Sequence, residues 1–204
     1  MADRVDSGLS NAETWLVVGL GNPGQEYARH RHNVGAMVAD VLVQRMGGNL
    51  RPHKRARAAA AEGRMSHGAT APRLIVAKPS TYMNDSGQAV APLCDFYKIG
   101  PDRVIAVHDE LDLPFGALRL KYGGGDNGHN GLKSLRRALG TGDFYRARFG
   151  IGRPPGRLDP AVFVLRDFSS TERREIDAEI ARTTDAIEAL ISEGLDRAQS
   201  EFNN

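Results

Sequence analysis

Cysteine is almost absent from this sequence of 204 residues, which contains only Cys94. A single cysteine excludes an intramolecular disulfide, and a reducing compartment is therefore expected. No uninterrupted apolar run approaches the ~20 residues that a membrane-spanning helix requires. The segment from Met1 to Glu13 is polar and lacks the apolar centre of a secretory signal. We therefore expect a cytoplasmic protein.

The sequence also has little net charge, because 27 lysines and arginines nearly balance 25 acidic residues. The charges are nevertheless separated along the chain. Residues 119–157 contain nine basic and two acidic residues, whereas residues 158–204 contain five basic and eleven acidic ones. A basic middle beside an acidic tail predicts one positive face, for which a phosphate-rich partner is the natural candidate. The shorter basic segment 51–64 is either part of that face or a solvated edge.

The length of the chain suits one domain with a substantial core, and 41% apolar and 25% charged residues are ordinary for a globular protein. Strand-like and helix-like segments alternate along it. This alternation predicts an α/β fold, a single-domain three-layer sandwich in which helices flank a mixed, mostly parallel twisted sheet. Antiparallel additions are expected from the later strands. We expect residues 1–12 to be a flexible tail and residues 13–204 to form the domain.

Short apolar or alternating runs predict the strands, and helical periodicity predicts the helices. Strands are expected at 15–20, 74–77, 103–108, 118–122 and 145–151, with a further strand on an exposed edge at 56–64. Helices are expected at 34–46, 86–97, 132–139 and 171–199. Cys94 falls on the apolar face of the second helix, so we interpret it as a core residue.

Polar side chains follow three of the predicted strands. Asn22 comes after the first strand, Asn84 after the second, and Asp109 directly after the third. The loop beyond Asn22 also brings His32 to the start of a helix. Because ligands of open α/β sheets bind beyond the carboxyl ends of the strands, we expect these side chains to surround one cleft.

The residue types suit hydrolysis by water. A histidine can take a proton from water near neutral pH, and a carboxylate behind the imidazole fixes its tautomer. Amide groups can stabilise an oxyanion or hold the substrate, and Asn22, Asn84 and Asn130 are candidates. Asn84 and Asn130 each also precede a helix, where N-capping is the alternative role. Without a Gly-x-Ser-x-Gly motif, and with Cys94 buried, a covalent route is disfavoured.

The first glycine-rich turn has an alternative interpretation. Gly19-x-Gly21-x-x-Gly24 after a strand also matches the dinucleotide fingerprint, which would indicate a nicotinamide-dependent oxidoreductase. Pro23 stiffens this turn, no predicted helix follows it directly, and no acidic residue ends a second strand at the required distance. The dinucleotide interpretation is therefore disfavoured.

The acidic residues after the third strand also admit a metal site. Asp109, Glu110 and Asp112 lie close to His108 in the sequence. Their spacing is not a strong ligand pattern, and acids that follow a strand commonly form turns. We therefore interpret His108 as structural.

Five linked motifs extend from about Trp15 to at least Leu165 and carry a resemblance to a known family. They are Gly19-Leu-Gly-Asn-Pro-Gly24, Tyr27 with Arg31-His-Asn-Val-Gly35, Lys78-Pro-Ser-Thr-Tyr-Met-Asn84, His108-Asp-Glu-Leu-Asp-Leu-Pro114, and Gly123-Gly-Gly with Gly128-His-Asn-Gly131. In order and spacing they resemble the motifs of bacterial peptidyl-tRNA hydrolases. Five motifs together are highly specific, whereas any one alone would be weak.

The resemblance implies that the chain hydrolyses the ester between peptide and tRNA, with water activated by His32 and His32 oriented by Asp109. It implies a monomer without metal or cofactor, whose partner is peptidyl-tRNA, bound at its acceptor stem and 3′ end. The alternative is a non-catalytic RNA-binding protein on the same fold. The implied substrate-binding residues are Asn22, Tyr27, Met83, Asn84, His129 and Asn130, and the implied tRNA contacts are Lys121, Arg148 and Arg157.

Three positions depart from the pattern of the family. His30 stands where Thr or Ser is usual, and Asn127 stands where Gly is usual. Asn tolerates a positive φ better than other residues with a side chain, so the turn is expected to persist. Arg157 replaces a common Lys, which keeps the charge but changes the geometry of phosphate binding. None of the three belongs to the implied catalytic pair.

Overall fold

The computed structural model describes residues 13–65 and 71–203, so the predicted tail at residues 1–12 lies outside the described residues. Within those ranges, one sheet contains seven strands. They are β1 (Thr14–Gly19), β2 (Arg51–Pro52), β3 (Ala58–Arg64), β4 (Arg73–Pro79), β5 (Val104–Glu110), β6 (Leu118–Tyr122) and β7 (Tyr145–Gly150). The described helices are α1 (Val34–Arg45), α2 (Ser86–Tyr97), α3 (Asn130–Leu139), α4 (Pro160–Val164), α5 (Glu172–Glu193) and α6 (Leu195–Phe202).

The strands lie in the order β2-β3-β4-β1-β5-β7-β6. β4, β1, β5 and β7 run parallel, whereas β3 is antiparallel to β4, β2 to β3 and β6 to β7. The predicted α/β class with a mixed, mostly parallel sheet is confirmed. The expected antiparallel addition from a later strand is confirmed at β6, whereas the antiparallel strands β2 and β3, which precede the second parallel strand, were not expected.

Both faces of the sheet are covered, as the central strand β1 illustrates. Trp15 and Val17 pack in one apolar cluster with residues of α1 and α5, while Leu16 and Val18 pack in a second cluster with α2 and α3. Alternate residues of a strand point to opposite faces, so an uninterrupted apolar run supplies both cores. Cys94 belongs to the second cluster, and burial raises the pKa of its thiol to about 11. Its prediction as a core residue is confirmed.

Two glycines let α1 begin directly against the sheet. A Cβ atom on Gly19 would lie 2.3 Å from the carbonyl oxygen of Gly35, and one on Gly35 would lie 2.1 Å from that of Val107. Any side chain at either position would therefore push the first turn of α1 away from β1 and β5. This close approach positions the short 3-10 helix Arg31–Asn33, which immediately precedes α1, at the carboxyl edge of the sheet.

Three predicted elements differ from the structure. The strand at 56–64 corresponds to β3, but it is not at the edge, because the two-residue strand β2 pairs with its outer side. The helix at 171–199 is interrupted at Gly194, whose φ of 88° suits glycine. Helix α4 was not predicted, although Asp159 followed by Pro160 is a helix-start pattern. Its Asp159 carboxylate accepts a hydrogen bond of 2.8 Å from the Ala161 N–H.

Candidate active site

A cleft of about 860 Å³ opens beyond the carboxyl ends of β1, β4 and β5. The loops that follow these strands supply one wall, and α4 supplies another. Because parallel strands deliver their following loops to the same edge, distant polar residues meet here. The cleft is lined by every residue that the sequence assigned to catalysis or substrate binding, namely Asn22, Tyr27, His32, Met83, Asn84, Asp109, His129 and Asn130.

His32 and Asp109 form a hydrogen bond at the base of this cleft. His32 Nδ1 lies 2.8 Å from Asp109 Oδ1, although the two residues are 77 positions apart in the chain. The Asp109 side chain is only 3% exposed, and that of His32 is 12% exposed. The bond requires a proton on His32 Nδ1, which leaves Nε2 of the neutral ring as an acceptor.

His129 binds the same carboxylate oxygen from the other side. Its Nε2 lies 2.9 Å from Asp109 Oδ1. Its Nδ1 accepts hydrogen bonds from the backbone N–H groups of Gly131 (3.1 Å) and Leu132 (3.3 Å) as the N-cap of α3. Because Nδ1 accepts, Nε2 must carry the proton and donate it to Asp109. The start of α3 therefore fixes the tautomer of His129.

These contacts lower the pKa of the Asp109 carboxyl and raise the pKa of His32, and both shifts favour the charged form of the group. Burial alone would raise the pKa of Asp109, but the adjacent His32 and His129 hold it well below its ordinary value. Burial alone would lower the pKa of His32, but the charge of Asp109 and the hydrogen bond to it raise that pKa above 6.5. The pKa of His108 is lowered to about 3, mainly because the ring is buried and to a smaller extent because His129 lies nearby. The site therefore contains an ionised carboxylate beside a neutral, buried His108.

The side-chain oxygen of Asn22 is already hydrogen-bonded, whereas among the described residues its side-chain N–H groups are not. Its Oδ1 accepts a hydrogen bond of 2.8 Å from the Met83 backbone N–H. Its backbone N–H donates to Asn33 Oδ1 at 3.0 Å, and its backbone oxygen accepts a hydrogen bond of 2.8 Å from Asn33 Nδ2. Since Oδ1 is engaged, Nδ2 is the group that can donate to a molecule in the cleft.

Asn84 and Asn130 are exposed at the cleft and are not helix caps. The N-cap of α2 is Asp85, and the N-cap of α3 is His129, with Asn130 as the first helical residue. The N-cap alternative is therefore wrong for both asparagines. Their amide groups make no hydrogen bond within the described part of the chain, which leaves them free for a ligand.

Several lining residues were not among those that the sequence assigned to catalysis or substrate binding. Tyr82 is 57% exposed at the cleft, and Asn127 also lines the cleft, with a φ of 46°. That positive φ confirms the expectation that Asn sustains the turn where Gly is usual. The other unforeseen wall is α4 with the residues that flank it, from Asp159 to Leu165. In the sequence, the aliphatic side chains of α4 do not indicate that they line a cleft, and the helix-start pattern predicts only the helix itself.

Arg31 attaches the loop that contains His32 to the wall that contains α4. It is only 6% exposed, and its Nη1 donates to the backbone oxygen of Asp167 at 2.6 Å. Its Nη2 donates to Glu172 Oε2 at 2.7 Å, and the guanidinium carbon lies 4.3 Å from the Phe163 ring centroid. His32 is the next residue in the chain. The contacts of Arg31 therefore connect the residue before His32 to α4 and to the start of α5.

The predicted tRNA-binding residues lie outside the cleft. Arg148 is 21% exposed, and its Nε lies 3.1 Å from Glu110 Oε2. Lys121 lines a small neighbouring pocket together with Arg148 and Glu110. Arg157 is exposed on the connection between β7 and α4. The structure thus groups Lys121 with Arg148 and leaves Arg157 apart from them.

The residues that could bind a metal ion in the structure differ from those that the sequence suggested. Glu110 pairs with Arg148 and Asp112 with Arg153, so the predicted acidic set does not converge. The potential ligand atoms of His32, Asp109 and His129 do lie within 4.8 Å of one another. Both imidazoles, however, are bound to the same Asp109 oxygen. A metal ion would have to replace those two hydrogen bonds.

Two further features bear on the class of protein. Helix α1 begins at Val34, ten residues after Gly24, so the glycine-rich turn does not open a helix as a dinucleotide site requires. Among the helices of the described ranges, none is both long and apolar enough to cross a bilayer. An α/β fold that places an aspartate-bound histidine and unpaired amides at the carboxyl edge of its sheet defines a class of enzymes suited to hydrolysis by activated water.

Comparisons with known proteins specify that class. A family profile described as Peptidyl-tRNA hydrolase matches residues 16–204. The peptidyl-tRNA hydrolase of Streptomyces coelicolor is 59% identical over 191 residues, which cover 93% of this chain and 95% of that protein. That of Mycobacterium marinum is 54% identical over 189 residues, covering 93% and 97%. The crystal structure of peptidyl-tRNA hydrolase from Acinetobacter baumannii superposes with a TM-score of 0.85 at 34% identity, covering 94% and 95%. The chain belongs to the peptidyl-tRNA hydrolase family.

Proposed function

We propose that the protein hydrolyses the ester bond between peptide and tRNA in peptidyl-tRNA, and that His32 activates the attacking water. The observation that carries this proposal is the hydrogen bond between His32 Nδ1 and Asp109 Oδ1. Among residues 13–65 and 71–203, no group binds His32 Nε2, and the cleft that His32 lines is large enough for the end of a substrate. A histidine in this state is a general base near neutral pH.

The chemistry proceeds through a tetrahedral intermediate. The oxygen of water forms a bond to the ester carbonyl carbon while one of its protons passes to His32 Nε2. The buried Asp109 carboxylate stabilises the imidazolium that forms. The ester C–O bond then breaks, and the proton passes from His32 to the departing ribose oxygen. The products are a peptide with a free carboxylate and a tRNA with a free terminal hydroxyl.

Amide side chains hold the substrate and stabilise the developing charge in this proposal. Asn22 Nδ2 donates toward the reacting carbonyl, because its Oδ1 is already engaged by Met83. Asn84 and Asn130 bind the peptide amide that adjoins the ester. A free amino group at that position would leave these amides unpaired, so an unblocked aminoacyl-tRNA is spared. Tyr27, Met83 and His129 shape the subsite around them.

The tRNA is held through its phosphates at the acceptor stem. Lys121 and Arg148, which line one pocket, and the exposed Arg157 supply the charge. We propose further that residues 13–204 act as one domain, and that the protein works as a monomer in the cytoplasm. The single, buried Cys94 accords with a reducing compartment.

Release of N-acetylamino acid from N-acetylaminoacyl-tRNA tests the activity, with the unblocked aminoacyl-tRNA as the control. We expect rapid cleavage of the blocked substrate alone. Equal cleavage of both substrates would refute recognition of the peptide amide. Absence of cleavage together with tight tRNA binding would favour the alternative, a non-catalytic RNA-binding protein on this fold.

A further inference from the structure

A second groove lies at the outer edge of the sheet, on the side of β2. Its volume is about 710 Å³, and it shares no lining residue with the catalytic cleft. The walls are the chain after α1, β2 with the loop that follows it, the middle of β3, and the end of α2. We call it the β2 groove. It is defined by its lining residues 47–49, 51–55, 60–62, 96 and 97.

The β2 groove carries an excess of positive charge that nearby acids do not neutralise. Arg51, Lys54 and Arg55 line it and are exposed, and none has an acidic partner in the described part of the chain. Glu62 is the acid that lines the groove. Its carboxylate is already bound by Arg73 and by the Tyr97 hydroxyl, at 2.7 Å from the latter. Like charges repel one another, and a bound anion would offset this repulsion.

Arg55 is held by an aromatic ring instead of by an acid. Its guanidinium carbon lies 5.7 Å from the centroid of Phe96, which is 45% exposed. The ring of His53 packs edge-on against Phe96 at 4.8 Å, and its Nδ1 accepts a hydrogen bond from the Arg55 backbone N–H at 3.2 Å. A guanidinium held over a ring keeps its N–H donors free for a phosphate. The loop is therefore arranged to present Arg55 outward.

The loop of the β2 groove adjoins the strand that leads into the catalytic cleft. The Arg57 backbone oxygen accepts a hydrogen bond of 2.8 Å from the Ser80 N–H, and Ala58 pairs with Pro79 at the end of β4. Ser80 begins the segment that continues to Asn84 in the cleft. The cationic loop and the catalytic site are consequently at the same end of the sheet, and one extended polyanion could contact both.

We propose that the β2 groove binds backbone phosphates of the substrate tRNA at a distance from the scissile ester, with Lys54 and Arg55 as the principal contacts. This inference rests on the proposed function for the identity of the RNA. Phosphate backbones are recognised by lysine and arginine without base reading, which suits an enzyme acting on many tRNAs. The groove would add affinity for the body of the tRNA and leave the chemistry at His32 unchanged.

The test compares two double variants of equal charge change. Lys54→Gln/Arg55→Gln removes two cations of the groove, and Arg103→Gln/Arg174→Gln removes two cations elsewhere that have no acidic partner in the described residues. The first measurement is the salt dependence of Kd for full-length, uncharged tRNA. The second is the rate for N-acetylaminoacyl-tRNA and for a short 3′-terminal oligonucleotide that carries the same ester.

We expect the groove variant to lower the slope of log Kd against log salt by about 1 to 2, since each phosphate contact contributes ~0.7–0.9. Its KM for the full-length substrate should rise roughly tenfold at moderate salt while kcat stays unchanged. Its kcat and KM for the short substrate should equal those of the wild type. The control double variant should match the wild type in tRNA affinity, in salt slope and in both rates.

Equal tRNA affinity and slope in the two double variants would overturn the proposal. A KM that rises equally for the short and the full-length substrate would overturn it too, because the lost contact would then lie at the ester end. The binding measurement needs no turnover. If the wild type cleaves neither substrate, the proposed function fails, and the comparison of tRNA affinities still decides whether the groove binds RNA.

Discussion

Arg31 donates a hydrogen bond of 2.7 Å to the Glu172 carboxylate, and this partly buried contact joins the loop of His32 to the first residue of α5. Arg31→Met removes the charge but keeps an apolar stem. We expect a loss of about 3 kcal/mol in the free energy of unfolding, because the Glu172 carboxylate loses its cationic partner and the Asp167 backbone oxygen loses a hydrogen-bond donor. Urea denaturation measures it. The exposed Arg29, 4.0 Å from Asp167, is the control, and Arg29→Gln should change stability by less than about 0.5 kcal/mol.

Removal of the proposed base separates catalysis from binding. We expect His32→Ala to lower kcat by a factor on the order of 10²–10⁴, the usual contribution of a general base. Its affinity for uncharged tRNA should match the wild type, and the variant should remain folded with a lower unfolding midpoint, because the buried Asp109 loses one of its two histidine partners. The neighbouring His30 makes no contact with Asp109, so His30→Thr should retain activity. Full turnover by His32→Ala would remove His32 from the mechanism.

The pH dependence of kcat/KM reports the pKa of His32 in the free enzyme. Because Asp109 raises that pKa above 6.5, activity should fall on the acid side at a pH above 6.5, as His32 becomes protonated. In Asp109→Asn the charge is lost, and burial then lowers the pKa. The acid limb should move to lower pH, with kcat reduced by roughly 10⁴. NMR titration of the His32 ring checks the shift independently, and an unmoved titration would contradict the assignment.

If Arg148 binds a tRNA phosphate, the dependence of the tRNA Kd on salt concentration should reveal the contact. Arg148→Gln should weaken tRNA binding and lower the slope of log Kd against log salt by about 1. Glu110 shares the guanidinium, at 3.1 Å, so Glu110→Gln is the informative partner variant. It should strengthen tRNA binding, because it frees Arg148. An unchanged salt slope in Arg148→Gln would place the phosphate elsewhere.

The close approach of α1 to the sheet can be tested by adding one methyl group. A Cβ on Gly19 would meet the Gly35 oxygen at 2.3 Å, so Gly19→Ala should destabilise the fold by ~1–3 kcal/mol. Gly125 is the control, since no atom lies within 4 Å of its hypothetical Cβ. Gly125→Ala should leave the thermal unfolding midpoint unchanged. Equal midpoints in the two variants would show that α1 can shift at little cost.

Much of the fold could be predicted because its signals are local. The apolar run in β1 indicates a strand buried on both faces, and the periodicity of α2 gives its bounds of Ser86–Tyr97 without error. Asparagine at position 127 meets a requirement for a positive φ that the residue type itself reveals. By contrast, β2 contains two residues, Arg51 and Pro52, which are too few for any periodic pattern.

The alternating segments and linked motifs of the sequence determined the α/β class, the family resemblance and eight of the residues that line the cleft. Only the tertiary structure decided how those residues are bonded. His129 caps α3 and donates to the same Asp109 oxygen as His32, Asn22 turns its N–H groups to the cleft, and Arg31 holds the wall of α4. These arrangements join residues up to 141 positions apart. Residue spacing determines helix and strand faces, whereas the choice of a long-range hydrogen-bond partner depends on how all the elements pack.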